Sequence, residues 1–305
     1  MSELIAFIGV GNMGNPMAEN LIKAKKKVRV FDVSKEMIDR AKEKNFDIAD
    51  SIENLLSSSP KIVITMLPAG KHSREVYLGE NGILNKVSKD CLLIDCSTID
   101  IKTSVDIGLK AKEKGIKMID APVSGGVMGA KNATLTFLVG GSKDSFNSAK
   151  PILEIMGKNI FHAGDLGCGN GAKICNNMAL GISMIGASEA LMLAKRLNID
   201  IKKVHEIMKS ASGNSWPISV YPPLPGLKEG VPSNNKYRPG FSAGMMSKDL
   251  KLAIECAEEV KANTPLGSEA NKIYDKFCKE GNNNKDFSAI SKVVGGDAWD
   301  YEIDN

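Results

Sequence analysis

Short, nearly unbroken apolar runs alternate with amphipathic stretches through the first half of the chain. Leu4-Ile5-Ala6-Phe7-Ile8, Val28-Arg29-Val30-Phe31, Ile62-Val63-Ile64-Thr65-Met66, Cys91-Leu92-Leu93-Ile94-Asp95, Lys117-Met118-Ile119-Asp120, Phe137-Leu138-Val139-Gly140-Gly141 and Ile160-Phe161-His162 read as strands; runs of this kind are buried on both faces of a sheet. Helical spacing falls between them, after Pro16 and near residues 35–44, 101–114 and 144–156. Strands alternating with helices predict an α/β domain with a doubly wound, Rossmann-type parallel sheet, whose ligands bind beyond the carboxyl ends of the strands.

From Gly169 the pattern changes. Ala, Leu, Met and Ile fill a proline-free run to about Arg196, which predicts one helix of roughly 26 residues, about 39 Å long. Further helices are expected over residues 200–211, from Ser247 to about Ala262, and from Thr264-Pro265 to Gly281. The second domain is therefore all-helical, with the long helix linking it to the first. Residues 212–240 hold six of the twelve prolines together with Trp216, Tyr221 and Tyr237; a proline-broken connection of that length in a compact domain is usually a lid or binding loop. Expected boundaries are residues 1–165 for the sheet domain and 166–295 for the helical one, followed by a disordered acidic tail over 296–305 with Asp297, Asp300, Glu302 and Asp304.

Length supports the two-domain reading, since 305 residues are many for a single core. The composition, 43% hydrophobic and 25% charged, is that of an ordinary globular protein. A net charge of +4, spread along the chain without interleaved aromatics, argues against a nucleic-acid partner. Six cysteines show no C-x-x-C pair and no clustering with His72, His162 or His205, so reduced thiols are expected, with no disulfide framework and no metal site. The run 178–194 is interrupted by Ser183, Ser188 and Glu189, which favours a buried helix over a membrane span. A first strand at Leu4 leaves no room for a leader, so the expected compartment is the cytoplasm, or the mitochondrial matrix for a eukaryotic chain whose leader has been removed.

Candidate chemistry gathers at the strand ends. Gly9-Val10-Gly11-Asn12-Met13-Gly14 follows a strand and opens a helix, and a second strand ends at Asp32. In that context the glycine pattern is a dinucleotide fingerprint, with the helix N-terminus receiving the pyrophosphate. An acid at Asp32 accepts hydrogen bonds from a ribose and repels a 2′-phosphate, favouring NAD over NADP, with Lys35 nearby as the opposing signal. Pro68, Ser97, Thr98 and Ser124 also lie just past strand ends. Ser124-Gly125-Gly126 is open to two readings, a nest of N–H groups for an anion or a plain glycine turn. On the long helix Lys173, Asn176 and Asn177 share one face. Lys173 is either a surface lysine or, if buried near the positive end of the helix dipole, an amine whose charged form is disfavoured and which can exchange a proton. Trp216 and Tyr221 are either pocket walls or packing anchors.

Gly9 to Leu21, Asp120 to Gly126, Gly169 to Asn177, and Trp216 through Asp249 together resemble the β-hydroxyacid dehydrogenases, in that family's order and over the chain to about Ile290. The resemblance implies Lys173 as catalytic acid/base and Asn177 as a positioning amide. It implies Ser124, Gly125 and Gly126 on the substrate carboxylate, and Trp216, Tyr221, Lys248 and Asp249 around the substrate. Gly9, Gly11, Asn12, Met13, Gly14, Asp32, Leu67, Pro68, Thr98 and Lys248 are implied around NAD. The activity implied is NAD-dependent oxidation of (S)-3-hydroxyisobutyrate to methylmalonate semialdehyde, a step of valine breakdown, by a homodimer or homotetramer. Alternatives are a reductase of tartronate or succinic semialdehyde and, in a different class, an NAD-binding protein without catalysis.

Overall fold

The computed structural model describes residues 3–300, apart from the side chain of Ala298. Two compact units divide the chain, residues 1–173 and 174–305.

In the first unit the chain runs β1 (Leu4–Ile8), α1 (Gly14–Lys23), β2 (Lys27–Phe31), α2 (Lys35–Glu43), β3 (Asp47–Ile48), α3 (Ile52–Ser57), β4 (Ile62–Thr65), α4 (Gly70–Leu78) and α5 (Ile83–Lys86). It continues through β5 (Leu92–Asp95), α6 (Ile101–Glu113), β6 (Lys117–Asp120), β7 (Val123–Ser124), α7 (Gly126–Lys131), β8 (Leu135–Gly140), α8 (Lys143–Met156) and β9 (Gly157–Gly164). The sheet order is β3-β2-β1-β4-β5-β6-β8-β7, with β9 on β8. From β3 to β6 every pairing is parallel. Beyond β6 the sheet becomes mixed: β8 runs antiparallel to β6 and β7, and β9 parallel to β8.

Alternation along β1 explains why both faces are covered. Ile5 and Phe7 join a core with Val28, Val30, Ile64 and the buried faces of α1 and α8, while Ala6 and Ile8 join another with Val63, Leu93 and side chains of α3, α4 and α6. A strand buried on both sides needs no polar face, hence the continuous apolar runs. Four helices and two strands of this unit were not anticipated, namely α3, α4, α5, α7, β3 and β7. Each is short, and α4 places His72 on an exposed helical turn.

The long helix is α9 (Cys168–Arg196), 29 residues, and its first six residues belong to the first unit. By length and hydropathy it could cross a membrane, but half of its most apolar window is buried inside the protein. The second unit continues with α10 (Ile201–Ser210), α11 (Trp216–Ser219), α12 (Ala243–Glu259), α13 (Pro265–Phe277) and α14 (Ser291–Gly295). Gly181 brings α9 close to α12, since a Cβ there would lie 3.1 Å from Leu250, whereas a Cβ at Gly186 would meet nothing within 4 Å. Helix α12 begins earlier than expected: Ser242 caps it by accepting from the Met245 N–H, so Ser247 and Lys248 lie in its second turn.

The proline-broken stretch is an ordered strap. Ser233 Oγ donates to the Pro222 and Leu224 carbonyls, and Tyr237 OH to the Pro223 carbonyl at 2.7 Å. These bonds replace the ladder that prolines cannot make. The expected disordered tail needs correction up to residue 300. Gly296–Ala298 form a 3-10 turn, and Trp299 packs on Tyr237, ring centroids 5.9 Å apart, because its indole buries apolar area that a solvated tail would leave exposed. Residues 301–305 of that tail lie outside the described residues.

Candidate active site

At the carboxyl edge of the parallel strands, the three fingerprint glycines face three different environments. Gly9 has φ +91° and a Cβ there would lie 2.3 Å from the Met66 carbonyl oxygen; at Gly14 it would lie 1.9 Å from the Gly9 carbonyl oxygen. Both are needed to pack the turn against the strand and the helix. At Gly11 a Cβ would meet nothing within 4 Å, so the outer side of the turn is open beside the start of α1.

Asp32 Oδ2 accepts from the Val10 N–H and Oδ1 from the Ser34 N–H, both at 2.8 Å. The carboxylate thus shapes the glycine turn while staying half-buried. Asn12 is exposed, with Arg40 donating to its Oδ1 at 3.4 Å, and Met13 is the residue preceding α1. Leu67 is held by its N–H to Ser97 Oγ at 2.8 Å, Pro68 beside it is exposed, and Thr98 follows Ser97 on the neighbouring strand end.

Behind this edge lies a buried polar chain that sequence reasoning missed. Tyr77 OH and Thr65 Oγ1 are 2.8 Å apart, Thr65 donates to Asp95 Oδ1 at 2.9 Å, and that oxygen also accepts from the Ser97 N–H at 3.0 Å. Burial raises the Asp95 carboxyl above the usual range, against the opposing pull of these hydrogen bonds.

The turn Ser124-Gly125-Gly126 leaves β7 with both glycines at positive φ, +128° and +61°, in a backbone conformation that other residues resist. Gly125 is exposed and its two neighbours half-buried. Lys173 lies in the same unit, on the second turn of α9, and is only 7% exposed.

The remaining candidates belong to the second unit. Asn177, four residues after Lys173 on α9, is 1% exposed. Its Nδ2 donates to Asp249 Oδ2 at 2.5 Å and its Oδ1 accepts from Asn176 Nδ2 at 3.0 Å. Lys248 Nζ lies 3.1 Å from Asp249 Oδ1. The Asn177 amide is therefore oriented by charge, through a carboxylate that is itself paired.

Trp216 stacks on Tyr221, centroids 4.9 Å apart and planes at 20°, yet keeps 46% of its surface exposed. Tyr221 in turn donates to Asp286 Oδ2 at 2.9 Å, and the same oxygen accepts from the Gly240 and Phe241 N–H groups. Asp286 is thus the hub of the strap; burial raises its carboxyl, and burial together with Asp286 raises the Tyr221 hydroxyl. The only sequence sign of Asp286 is the local Asp-Phe-Ser pattern, in which Asp286 Oδ1 accepts from the Ser288 N–H. The histidines do other work. His162 stacks on Phe146 and binds the Gly141 carbonyl, and buried His205 binds the Ile218 carbonyl.

Comparison with known proteins accords with this geometry. Residues 4–164 match the family described as the NAD binding domain of 6-phosphogluconate dehydrogenase, and residues 167–294 the one described as NAD-binding of NADP-dependent 3-hydroxyisobutyrate dehydrogenase. A 3-hydroxyisobutyrate dehydrogenase of Pseudomonas aeruginosa is 45% identical over 96% of this chain and 98% of its own. An NAD-dependent L-serine dehydrogenase of the same organism is 42% identical over 95% and 97%. The structure of Mycobacterium tuberculosis 3-hydroxyisobutyrate dehydrogenase with L-serine superposes with a TM-score of 0.91, at 38% identity, over 97% of this chain and 100% of that one. With a Rossmann-type sheet, a glycine turn opened for a dinucleotide and relatives aligned end to end, the chain belongs to the β-hydroxyacid dehydrogenase family of NAD-dependent oxidoreductases, among the 3-hydroxyisobutyrate dehydrogenases.

Proposed function

We propose that this protein oxidises (S)-3-hydroxyisobutyrate to methylmalonate semialdehyde, with Lys173 accepting the hydroxyl proton. The observation that carries this reading is a lysine only 7% exposed near the start of α9, on a helix that also bears the oriented amide of Asn177. Burial withdraws this amine from bulk water and holds it on the helix that carries the amide, the placement a proton-transfer group requires. NAD, when bound, supplies the acceptor for the hydride at the hydroxyl-bearing carbon. Gly9, Gly11, Asn12, Met13, Gly14, Asp32, Leu67, Pro68, Thr98 and Lys248 would hold it.

The chain's own work is to bind, orient and move one proton. Ser124 and the N–H groups of Gly125 and Gly126 receive the substrate carboxylate, Asn177 and Asp249 orient the hydroxyl end, and Trp216 and Tyr221 offer an apolar wall to the 2-methyl group. Fixing both ends of a small acid lowers the entropic part of the barrier. The assembly proposed is a homodimer or homotetramer, for which exposed Leu193, Leu197 and Ile199 supply apolar surface in the second unit; light scattering tests it.

L-Serine is the second reading. It carries an ammonium where 3-hydroxyisobutyrate has a methyl group, and it is named both in the P. aeruginosa relative's activity and in the M. tuberculosis structure.

Initial rates of NADH formation from (S)-3-hydroxyisobutyrate, L-serine, D-glycerate and 4-hydroxybutyrate decide between them, with NADP⁺ as the cofactor control. Preference for the first with NAD is expected; preference for L-serine replaces the substrate and keeps the chemistry. Lys173→Ala is expected to lower kcat by about 10²- to 10⁴-fold, the usual contribution of a general base. Near-normal turnover in that variant removes Lys173 from the reaction.

A further inference from the structure

The first turn of α9 carries no cap of its own. Gly167, which precedes the helix, has no side chain and can have none: φ is +88° and a Cβ would lie 2.7 Å from Val105 Cγ2. Asn170, three residues on, points elsewhere, accepting from the Ile99 N–H at 3.0 Å and donating to Ser104 Oγ at 3.4 Å. A capping box normally satisfies the N–H of the cap residue and the N–H three residues later by exchanging two local side chains. Here one remote carboxylate does both. Asp120 Oδ1 accepts from the Gly167 N–H and Oδ2 from the Asn170 N–H, each at 2.8 Å.

The fold clears space for that carboxylate. A Cβ at Gly140 would lie 2.3 Å from Asp120 Oδ1, and one at Gly169 would lie 2.7 Å from Oδ2. Asp120 is fully buried at the last position of β6, paired in register with Asp95 of β5 and four residues before Ser124. Asn170 ties the same helical turn to Ile99, next to Thr98, and to Ser104 on α6. The strand end that leads into the anion-binding turn therefore also grips the helix that carries Lys173, one turn beyond Asn170.

We propose that Asp120 is a positioning residue for the reaction: its side chain holds the first turn of α9 and so sets where Lys173 stands relative to the Ser124-Gly125-Gly126 turn, with Asn170 as the second tie. This rests on the reading of Lys173 as proton acceptor. It adds to that reading a residue that touches neither substrate nor cofactor. Asp120→Asn keeps the size but leaves one acceptor for two N–H groups, so one of them is orphaned and the turn shifts.

The test compares Asp120→Asn, Asn170→Ala and Lys173→Ala in the full chain, normalised by titration with NAD. For Asp120→Asn, kcat falls about 10- to 100-fold, the scale on which small displacements of a reacting group act, while KM for NAD stays within about twofold. The primary isotope effect with substrate deuterated at the hydroxyl-bearing carbon rises, because chemistry has become slower than product release. Asn170→Ala moves all three readouts the same way and less far. A kcat loss that merely tracks the folded fraction, with an unchanged isotope effect, overturns the proposal, as does wild-type kcat in a folded Asp120→Asn. Should Asp120→Asn not fold, Asn170→Ala decides, and wild-type kcat there overturns it. Turnover in Lys173→Ala would instead strike the underlying reading, so the two failures are distinguishable.

Discussion

At the scale of single residues, one side chain type does three different jobs. Asp32 is half-buried and shapes the glycine turn, Asp249 orients Asn177, and Asp95, Asp120 and Asp286 are buried hubs for N–H and O–H donors. Asp32 is announced by its spacing from the glycine turn, and Asp249 by the family resemblance of the stretch that ends on it. Nothing in the sequence announces the hub roles, even that of Asp120 at the head of the Asp120 to Gly126 motif, because the donors lie far along the chain: Asp120 is 47 residues from Gly167, and Asp286 is 65 from Tyr221. Burial also gives these three carboxyls a common linkage to pH. Each holds its proton in the folded protein to a higher pH than in the unfolded chain, where an aspartate titrates near about 3.9. Their contribution to stability is full below that value and is lost as the pH rises through the folded-state value. Asp95→Asn removes one such ionisation while retaining an acceptor for Thr65 and Ser97. Urea unfolding from pH 4 to pH 8 should therefore show the variant gaining on the wild type as pH rises; a difference independent of pH would exclude this role.

At the scale of elements, the dinucleotide turn separates what the fold needs from what the ligand needs. Gly14→Ala forces a methyl to within 1.9 Å of the Gly9 carbonyl oxygen and is expected to destabilise the protein by about 1–3 kcal/mol, the usual cost of overpacking. Gly11→Ala meets nothing, so its stability should stay within about 0.5 kcal/mol of wild type. NAD affinity should nevertheless fall at least about tenfold, or about 1.4 kcal/mol. Chemical denaturation and fluorescence titration with NADH measure the two quantities, and unchanged affinity in Gly11→Ala would remove the turn from the cofactor site. The long helix α9 was legible because 29 residues without proline average out local ambiguity. Helices α3 and α5, six and four residues long, were not, because so short a segment has little periodicity to read. The strap over residues 212–240 was legible only as a break, since its order comes from side chains reaching distant carbonyls.

At the scale of the whole molecule, the residues proposed around NAD fall, apart from Lys248, in the unit of residues 1–173, which bears the glycine turn, Asp32 and Thr98. A ligand that binds only the folded state stabilises it by about 2.7 kcal/mol at a hundredfold excess over Kd. For a unit of this size that corresponds to a rise in Tm of about 5–10 °C. Calorimetry with NAD should show such a rise in the transition of this unit, and a hydroxy acid added alone should shift it less. No response to NAD would contradict the cofactor assignment.

The sequence by itself determined the strand–helix alternation, the dinucleotide turn, the lysine and amide on one helix, and the all-helical second half. Each is written in local spacing, where neighbouring residues share a strand face or a helical turn. Only the tertiary structure decided the mixed end of the sheet, the order in residues 296–300, and the Asp95, Asp120 and Asp286 hubs. Those features depend on which distant donors a buried carboxylate meets and which apolar surface a late tryptophan can cover. Such pairings exist only once the chain has folded back on itself, and no local pattern encodes them.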